Sequence, residues 1–279
     1  MTRVLVTGAE GMVGAELVRT LGSGFVVASA VRSDFDITDR RATADAVAEA
    51  APEVVVNCAG YTDVDGAEAH RSEAEAVNAR GAGHVAEAAA AVGARVIQLS
   101  TDYVFDGKAS RPYLEDDAPN PINAYGETKL GGERAVAAAN RDHLIVRTAW
   151  LYGHGGPNFV ETILRTASAG GNLRVVDDQR GSPTNVRDLC GVLKELIATG
   201  AAGVVNATNA GTCTWYTFAK EIVKLAGLKV DVVPVSSLEF TRPAARPTSS
   251  VLSLERLTEL IGWTPRSWRE ALAEYMSER

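Results

Sequence analysis

Cysteine is scarce in this 279-residue chain, and Cys58, Cys190 and Cys213 form an odd, scattered set. That excludes a disulfide framework and offers no metal-ligand spacing; reduced thiols in a cytoplasmic protein are the expectation. No apolar run approaches the length of a membrane span, and no charged leader precedes an apolar stretch at the N-terminus, so secretion and membrane anchoring are disfavoured. Basic charge is also in deficit. The 28 Lys and Arg residues stand against 35 Asp and Glu, a net charge of -7, which argues against nucleic acid as a partner. Internal repeats and low-complexity tracts are missing as well. What remains, 46% hydrophobic and 23% charged residues, describes a core-bearing chain of one large domain or two modest ones.

Apolar runs of strand length alternate with Ala-rich segments of helical spacing. The runs are Val4-Leu-Val6, Phe25-Val-Val-Ala28, Val54-Val-Val-Asn57, Val96-Ile-Gln-Leu99 and Leu144-Ile-Val146. Because they are continuous rather than alternating, they suit a sheet covered on both faces. The helical stretches fall at 11 to 22, 40 to 50, 67 to 92 and 124 to 139. This βα order predicts an α/β fold with a doubly wound parallel sheet. Beyond residue 150 the pattern is irregular, with a helix at 215 to 226, a strand at 230 to 233 and a closing helix at 267 to 277. Residues 1 to 150 are therefore expected to form the sheet domain. Residues 151 to 279 form mainly a smaller domain, with a segment near 186 to 200 crossing back.

Gly8, Gly11 and Gly14 lie between the first strand and the first helix. Glycines there let the backbone turn tightly and approach a pyrophosphate, whose charge rests on the helix N-terminus, with Glu10, Met12 and Val13 in the same turn. The end of the second strand should carry Asp or Glu if a free ribose 2'-hydroxyl is held, and it reads Ala30-Val-Arg-Ser33. Arg32 and Ser33 suit a 2'-phosphate instead, which favours NADPH, with NADH as the alternative reductant. Asp36 and Ile37 after the second strand, and Cys58, Ala59, Gly60 and Tyr61 after the third, complete the expected cofactor site.

Tyr125 and Lys129 are four residues apart on one helix and so share a face. A neighbouring ammonium favours the phenolate, so the spacing predicts a Tyr125 pKa below its usual value of about 10. Thr101 follows the fourth strand, at the carboxyl edge where open α/β sheets bind ligands. Its hydroxyl suits donation to a carbonyl oxygen while Tyr125 supplies a proton, a set for carbonyl/alcohol interconversion.

With the glycine motif, Thr101, Tyr125 and Lys129 resemble the catalytic set of the extended short-chain dehydrogenases/reductases. The finer motifs resemble the dTDP-4-dehydrorhamnose reductase family within them. They are Asn57-Cys-Ala-Gly-Tyr-Thr-Asp-Val-Asp65, Ala76-Val-Asn78, Leu99-Ser-Thr-Asp-Tyr-Val-Phe-Asp-Gly107, Tyr125-Gly-Glu-Thr-Lys129 and Arg147-Thr-Ala-Trp-Leu-Tyr-Gly153. Asp178-Gln-Arg-Gly-Ser-Pro-Thr184 and Arg246-Pro-Thr-Ser-Ser-Val-Leu252 follow. The resemblance implies a Rossmann-type NADP-binding domain and reduction of a dTDP-linked 4-keto-6-deoxy sugar. It further implies that Lys129 holds the nicotinamide ribose and that Thr101, Asp102, Tyr103 and Trp150 contact the sugar. Gln179, Thr184 and Arg246 are implied to hold the nucleotide and diphosphate.

Some relatives dimerise through a metal held by glutamates. Glu16 fits one such position, but Arg187 and Arg269 are expected at the other two, so no metal and a monomer or weak homodimer are predicted. Two other readings bear on the same residues. Dehydratases of the superfamily carry Asp-Glu after the active-site Thr, whereas Asp102-Tyr103 here lacks the second carboxylate. The regulatory subunit of methionine adenosyltransferase resembles the same group without being a catalyst, and the intact Thr101, Tyr125 and Lys129 set favours catalysis.

Overall fold

The computed structural model describes residues 1–22, 24–170 and 172–279. The apolar runs become parallel strands of one six-stranded sheet: β1 (Arg3–Thr7), β2 (Val26–Ala30), β3 (Val54–Asn57), β4 (Arg95–Thr101), β5 (His143–Thr148) and β6 (Gly203–Asn206). Their spatial order is β6-β5-β4-β3-β1-β2. From β1 the chain builds outward first to β2 and then, on the other side, to β3 and β4. The carboxyl ends of β1 and β3 therefore flank a topological switch point, where such sheets leave a crevice.

Numbering only the helices of ten residues or more, these are α1 (Met12–Leu21), α2 (Arg40–Ala50), α3 (Ala82–Ala91), α4 (Ala124–Ala139), α5 (Phe159–Ser168), α6 (Val186–Thr199), α7 (Trp215–Leu225) and α8 (Trp268–Ser277). Leu17 and Leu21 of α1 and Leu189, Leu193 and Leu196 of α6 pack on one sheet face against Val4, Val6, Val56 and Ile97. Val47 of α2, Val85 and Ala89 of α3 and Val136 of α4 cover the other face over Leu5, Val55 and Val96. Burial on both faces is why the inner strands β1, β3, β4 and β5 lack alternation, whereas the edge strand β2 is largely exposed. The later chain has its own core, in which Ile163, Phe218, Ile222, Trp268 and Leu272 surround Leu173 and Val175.

Several boundaries differ from the sequence expectation. The second strand spans Val26–Ala30, and the late strand is Val232–Val235, paired with Leu173–Val176. β6 was not anticipated, because Val204 and Val205 alone make too short an apolar run. It places residues 203 to 206 at the sheet edge beside β5. The stretch 67 to 92 is not one helix but Gly66–Ala69, Arg71–Glu75, a widened π turn Ala76–Gly81 and then α3. π turns re-aim single side chains, and this one aims Asn78. The Asn78 amide donates to the Tyr61 carbonyl (3.0 Å) and to Thr128 (3.1 Å), while its oxygen accepts from the Tyr61 N–H (2.8 Å).

Candidate active site

At the switch point lies a cavity of about 250 Å3 lined by Gly8, Glu10, Gly11, Arg32, Asp36, Ile37, and Cys58 through Tyr61. Gly8 sits at φ +66, and a Cβ there would come within 2.6 Å of the Ala59 backbone. A Cβ on Gly14 would fall 2.3 Å from the Gly8 carbonyl oxygen, so α1 presses directly against the turn. These two positions form a cradle that only glycine permits, and it opens at the N-terminus of α1, where an anion is favoured. A dinucleotide fits this donor set.

Not every expected residue faces the cavity. Met12 and Val13, in the first turn of α1, pack against the core instead, and the Val13 carbonyl accepts from the Cys190 thiol at 3.6 Å. Ser33 is exposed and outside the lining, in a tight turn that Asp34 closes on Val31, whereas Arg32 borders the cavity. Arg32 itself is 71% exposed and pairs with Asp36 at 3.3 Å. Asp36 accepts from the Thr38 amide and hydroxyl, which hold its pKa below the usual carboxylate value. The motif reading missed Thr7, Phe35, Glu73 and Val77, which also line the cavity. Phe35 carries a legible signal as an aromatic beside Asp36, whereas Glu73 and Val77 reach the cavity only through the broken helix.

Thr101 ends β4, and Asn123 caps α4 by accepting from the Gly126 N–H at 2.7 Å, which sets Tyr125 in the first turn. The Tyr125 ring meets Tyr103 edge-on at 5.9 Å. Gly126 has room for no side chain, since a Cβ would lie 2.1 Å from the Tyr103 carbonyl oxygen. Lys129 is buried and donates to the Leu99 carbonyl at 2.7 Å. Its Nζ lies 3.8 Å from where a Gly60 Cβ would be, so the ammonium adjoins the cofactor cavity.

The electrostatics correct one expectation. Burial pushes the Tyr125 phenol up to about 12; the Thr101 hydroxyl lowers it in part and the Asp102 charge raises it. The Lys129 ammonium is instead committed to the Leu99 carbonyl and is itself disfavoured by burial. Desolvation lowers Lys129 to about 8, against the opposing effect of Glu133. A phenol with a raised pKa is fully protonated at neutral pH, which suits a proton donor. The ammonium predominates below about pH 8, so turnover per bound substrate is expected to fall as pH rises through that value. A kcat profile from pH 6 to 10 checks this; a flat profile across pH 8 would remove the Lys129 cation from the rate-determining step.

Asp102 is buried, and desolvation raises its carboxyl to about 6 against hydrogen bonds from Ser250 and Thr101. The Thr101 hydroxyl donates to Asp102 Oδ1 at 3.0 Å and accepts from the Tyr103 N–H at 3.2 Å. Trp150 adopts φ +48, rare for a bulky residue, and stacks on Trp215 with centroids 3.4 Å apart and planes 6° apart. Gly181 leaves the space, since a Cβ would fall 2.4 Å from the indole. Gln179 is buried on the neighbouring loop. Thr184 is fully buried, its N–H given to the Trp150 carbonyl (3.1 Å) and its hydroxyl to the Ser182 carbonyl (3.2 Å). It therefore supports Trp150 rather than facing open space. Arg246 is bound by Asp65 rather than free.

The Glu16 region also differs from expectation. Arg187 lies 4.0 Å from Glu16 and pairs with Glu274 (3.0 Å) and Glu278 (2.5 Å). Arg269 is not in this cluster; it pairs with Glu221 and lies over the Trp268 ring at 4.3 Å.

A protonated phenol, a buried lysine and a strand-end threonine beside a dinucleotide cradle define the class of extended short-chain dehydrogenases/reductases. Within it, the family described as RmlD substrate binding domain matches residues 1–279. The dTDP-4-dehydrorhamnose reductase of Streptomyces griseus is 48% identical over 98% of this chain and 92% of its own length. A probable dTDP-4,6-dihydroxy-2-methyloxan-3-one 4-ketoreductase of Streptomyces antibioticus is 43% identical over 98% and 94%. The crystal structure of dTDP-4-dehydrorhamnose reductase from Bacillus anthracis in complex with NADP superposes with a TM-score of 0.96, at 40% identity, covering 100% of this chain and 99% of that one. The chain belongs to the dTDP-4-dehydrorhamnose reductase family.

Proposed function

We propose that the protein reduces the C4 ketone of dTDP-4-dehydro-β-L-rhamnose to dTDP-L-rhamnose, with NADPH as reductant. The observation that supports this reading is that α4 brings Tyr125 to Thr101 at the end of β4 and Lys129 to the Leu99 carbonyl, with the Lys129 ammonium beside Gly60 of the cavity lining. Gly8, Gly11, Arg32, Cys58 through Tyr61 and Lys129 would hold the dinucleotide. When bound, NADPH supplies the hydride. Thr101 turns its hydroxyl from Asp102 to the ketone oxygen, and Tyr125 gives its phenolic proton to that oxygen as negative charge develops there. Trp150 offers an apolar wall to the 6-deoxy sugar. Purified protein, NADPH and a panel of dTDP-4-keto-6-deoxy sugars test the reading through kcat/KM. The rhamnose precursor is expected to rank first, and absence of turnover with every member would favour a non-catalytic binding role.

A second reading, reduction of a different dTDP-4-keto sugar in specialised metabolism, is favoured by one observation. The Streptomyces antibioticus ketoreductase is nearly as similar as the rhamnose-forming relative. The same panel separates the two.

The reductant preference follows from Arg32. An exposed ion pair contributes about 0 to 1 kcal/mol, and a well-formed charged hydrogen bond roughly 1.5 to 3 kcal/mol. At 1.4 kcal/mol per decade, NADPH is expected to be preferred by several-fold to roughly 100-fold. Arg32→Ala should raise KM for NADPH and leave NADH kinetics nearly unchanged. Equal losses with both cofactors would show that Arg32 does not read the 2'-phosphate.

A further inference from the structure

Arg246 and Asp65 come from distant parts of the chain and meet near Tyr103. The two guanidinium ends face the carboxylate head-on: Nη1 donates to Oδ1 at 2.9 Å and Nη2 to Oδ2 at 2.8 Å. Nη1 also donates to the Ala244 carbonyl at 2.6 Å. Asp65 in turn accepts from the Ala244 N–H at 3.2 Å, and Arg242 lies 3.5 Å from it. A guanidinium carries five N–H donors. Three are used here, and among the described residues no acceptor meets the Nε–H or the second Nη2 hydrogen. Those two lie along one side edge of the planar group, parallel to each other, which is the fork that takes two oxygens of a phosphate.

The surroundings fix where that fork is held. Arg246 has a side chain only 14% exposed, and its charge is felt by the Tyr103 phenol, whose ring packs on Tyr125. The strap around Arg246 is fastened to the catalytic helix as well. Asn123, the cap of α4, donates to the Ala245 carbonyl at 2.7 Å. Further along, the Thr248 hydroxyl donates to the Gly107 carbonyl at 2.8 Å. A long side chain pinned in this way loses no further rotamer freedom when an anion arrives.

We infer that Asp65 is a positioning residue: by gripping Arg246 end-on, it presents the free side edge of the guanidinium to one phosphate of the substrate's diphosphate. This rests on the reading of a dTDP-sugar as substrate. Asp65 touches neither substrate nor cofactor, so its effect is on affinity for the diphosphate rather than on the proton-transfer step.

The experiment measures binding of dTDP and, separately, of NADPH by calorimetry. The proteins are wild type, Asp65→Asn, Arg246→Ala and the double variant, with kcat and KM for the dTDP-keto sugar recorded alongside. Asp65→Asn keeps the size but loses the charge. It is expected to weaken dTDP binding and raise KM by about tenfold, the scale of one charge-assisted hydrogen bond, with kcat within twofold and NADPH affinity unchanged. In the Arg246→Ala background the same change should have no further effect on dTDP. Unchanged dTDP affinity in Asp65→Asn, or an equal loss in both backgrounds, overturns the proposal while leaving the substrate reading intact. A parallel loss of NADPH affinity assigns Asp65 to the fold and also overturns it. Failure of the wild type to bind dTDP removes the substrate reading and the proposal together.

Discussion

Tyr125→Phe is expected to lower turnover by roughly 100-fold or more, the scale of a lost general acid, while binding of NADPH stays within about twofold. The ring is retained, so its edge contact with Tyr103 and its packing in the small cluster with Ala67, Ala74 and Ala124 persist. Only the hydroxyl is removed. Its raised pKa, near 12, keeps the proton on the oxygen until an alkoxide of comparable basicity appears beside it. That matching is what makes burial useful here, rather than the ground-state phenolate that the Tyr-Lys spacing alone suggested. Steady-state kinetics with the keto sugar check this, and turnover near the wild-type rate would take Tyr125 out of the mechanism.

Arg147→Ala is expected to cost about 3–5 kcal/mol of stability, because it strands a buried carboxylate. Arg147 and Glu133 side chains are 4% and 5% exposed. The pair is bidentate, Nε to Oε1 at 2.9 Å and Nη2 to Oε2 at 2.7 Å, and the Ser100 hydroxyl also donates to Oε1 at 2.5 Å. Such a loss is a large share of the roughly 5–15 kcal/mol that holds a domain. At about 2–4 °C per kcal/mol, the melting temperature should fall by roughly 6–20 °C. Removing the stranded charge as well should recover part of it, so the Arg147→Ala, Glu133→Gln protein should melt above the single variant. Thermal melting of both decides: an unchanged single variant, or a double variant no better than the single, would contradict the account.

Most of the sheet was legible because β1, β3, β4 and β5 are buried on both faces and read as unbroken apolar runs. β6 escaped because its run is only two valines, and the π turn at Ala76–Gly81 escaped because its cause is long-range: Asn78 reaches the loop at Tyr61. The same division holds at the site. Gly8, Gly11 and the Tyr125 to Lys129 spacing are local patterns tied to one turn or one helix face, and a motif records them. The Arg246 grip on Asp65, the stack of Trp150 on Trp215 and the Arg147 pair with Glu133 each join distant segments. No periodicity encodes such meetings. The sign of the Tyr125 shift was lost for a related reason, since spacing reports a neighbouring charge but not the burial that outweighs it.

The most direct test of the central claim follows the hydride itself. The protein is incubated with NADPH carrying deuterium at the transferred C4 position and with dTDP-4-dehydro-β-L-rhamnose, and the product is analysed by mass spectrometry and NMR. The account predicts dTDP-L-rhamnose with one deuterium, bonded to C4 of the sugar. Recovery of unreduced keto sugar with the cofactor unconsumed, or deuterium at any other carbon, would contradict it.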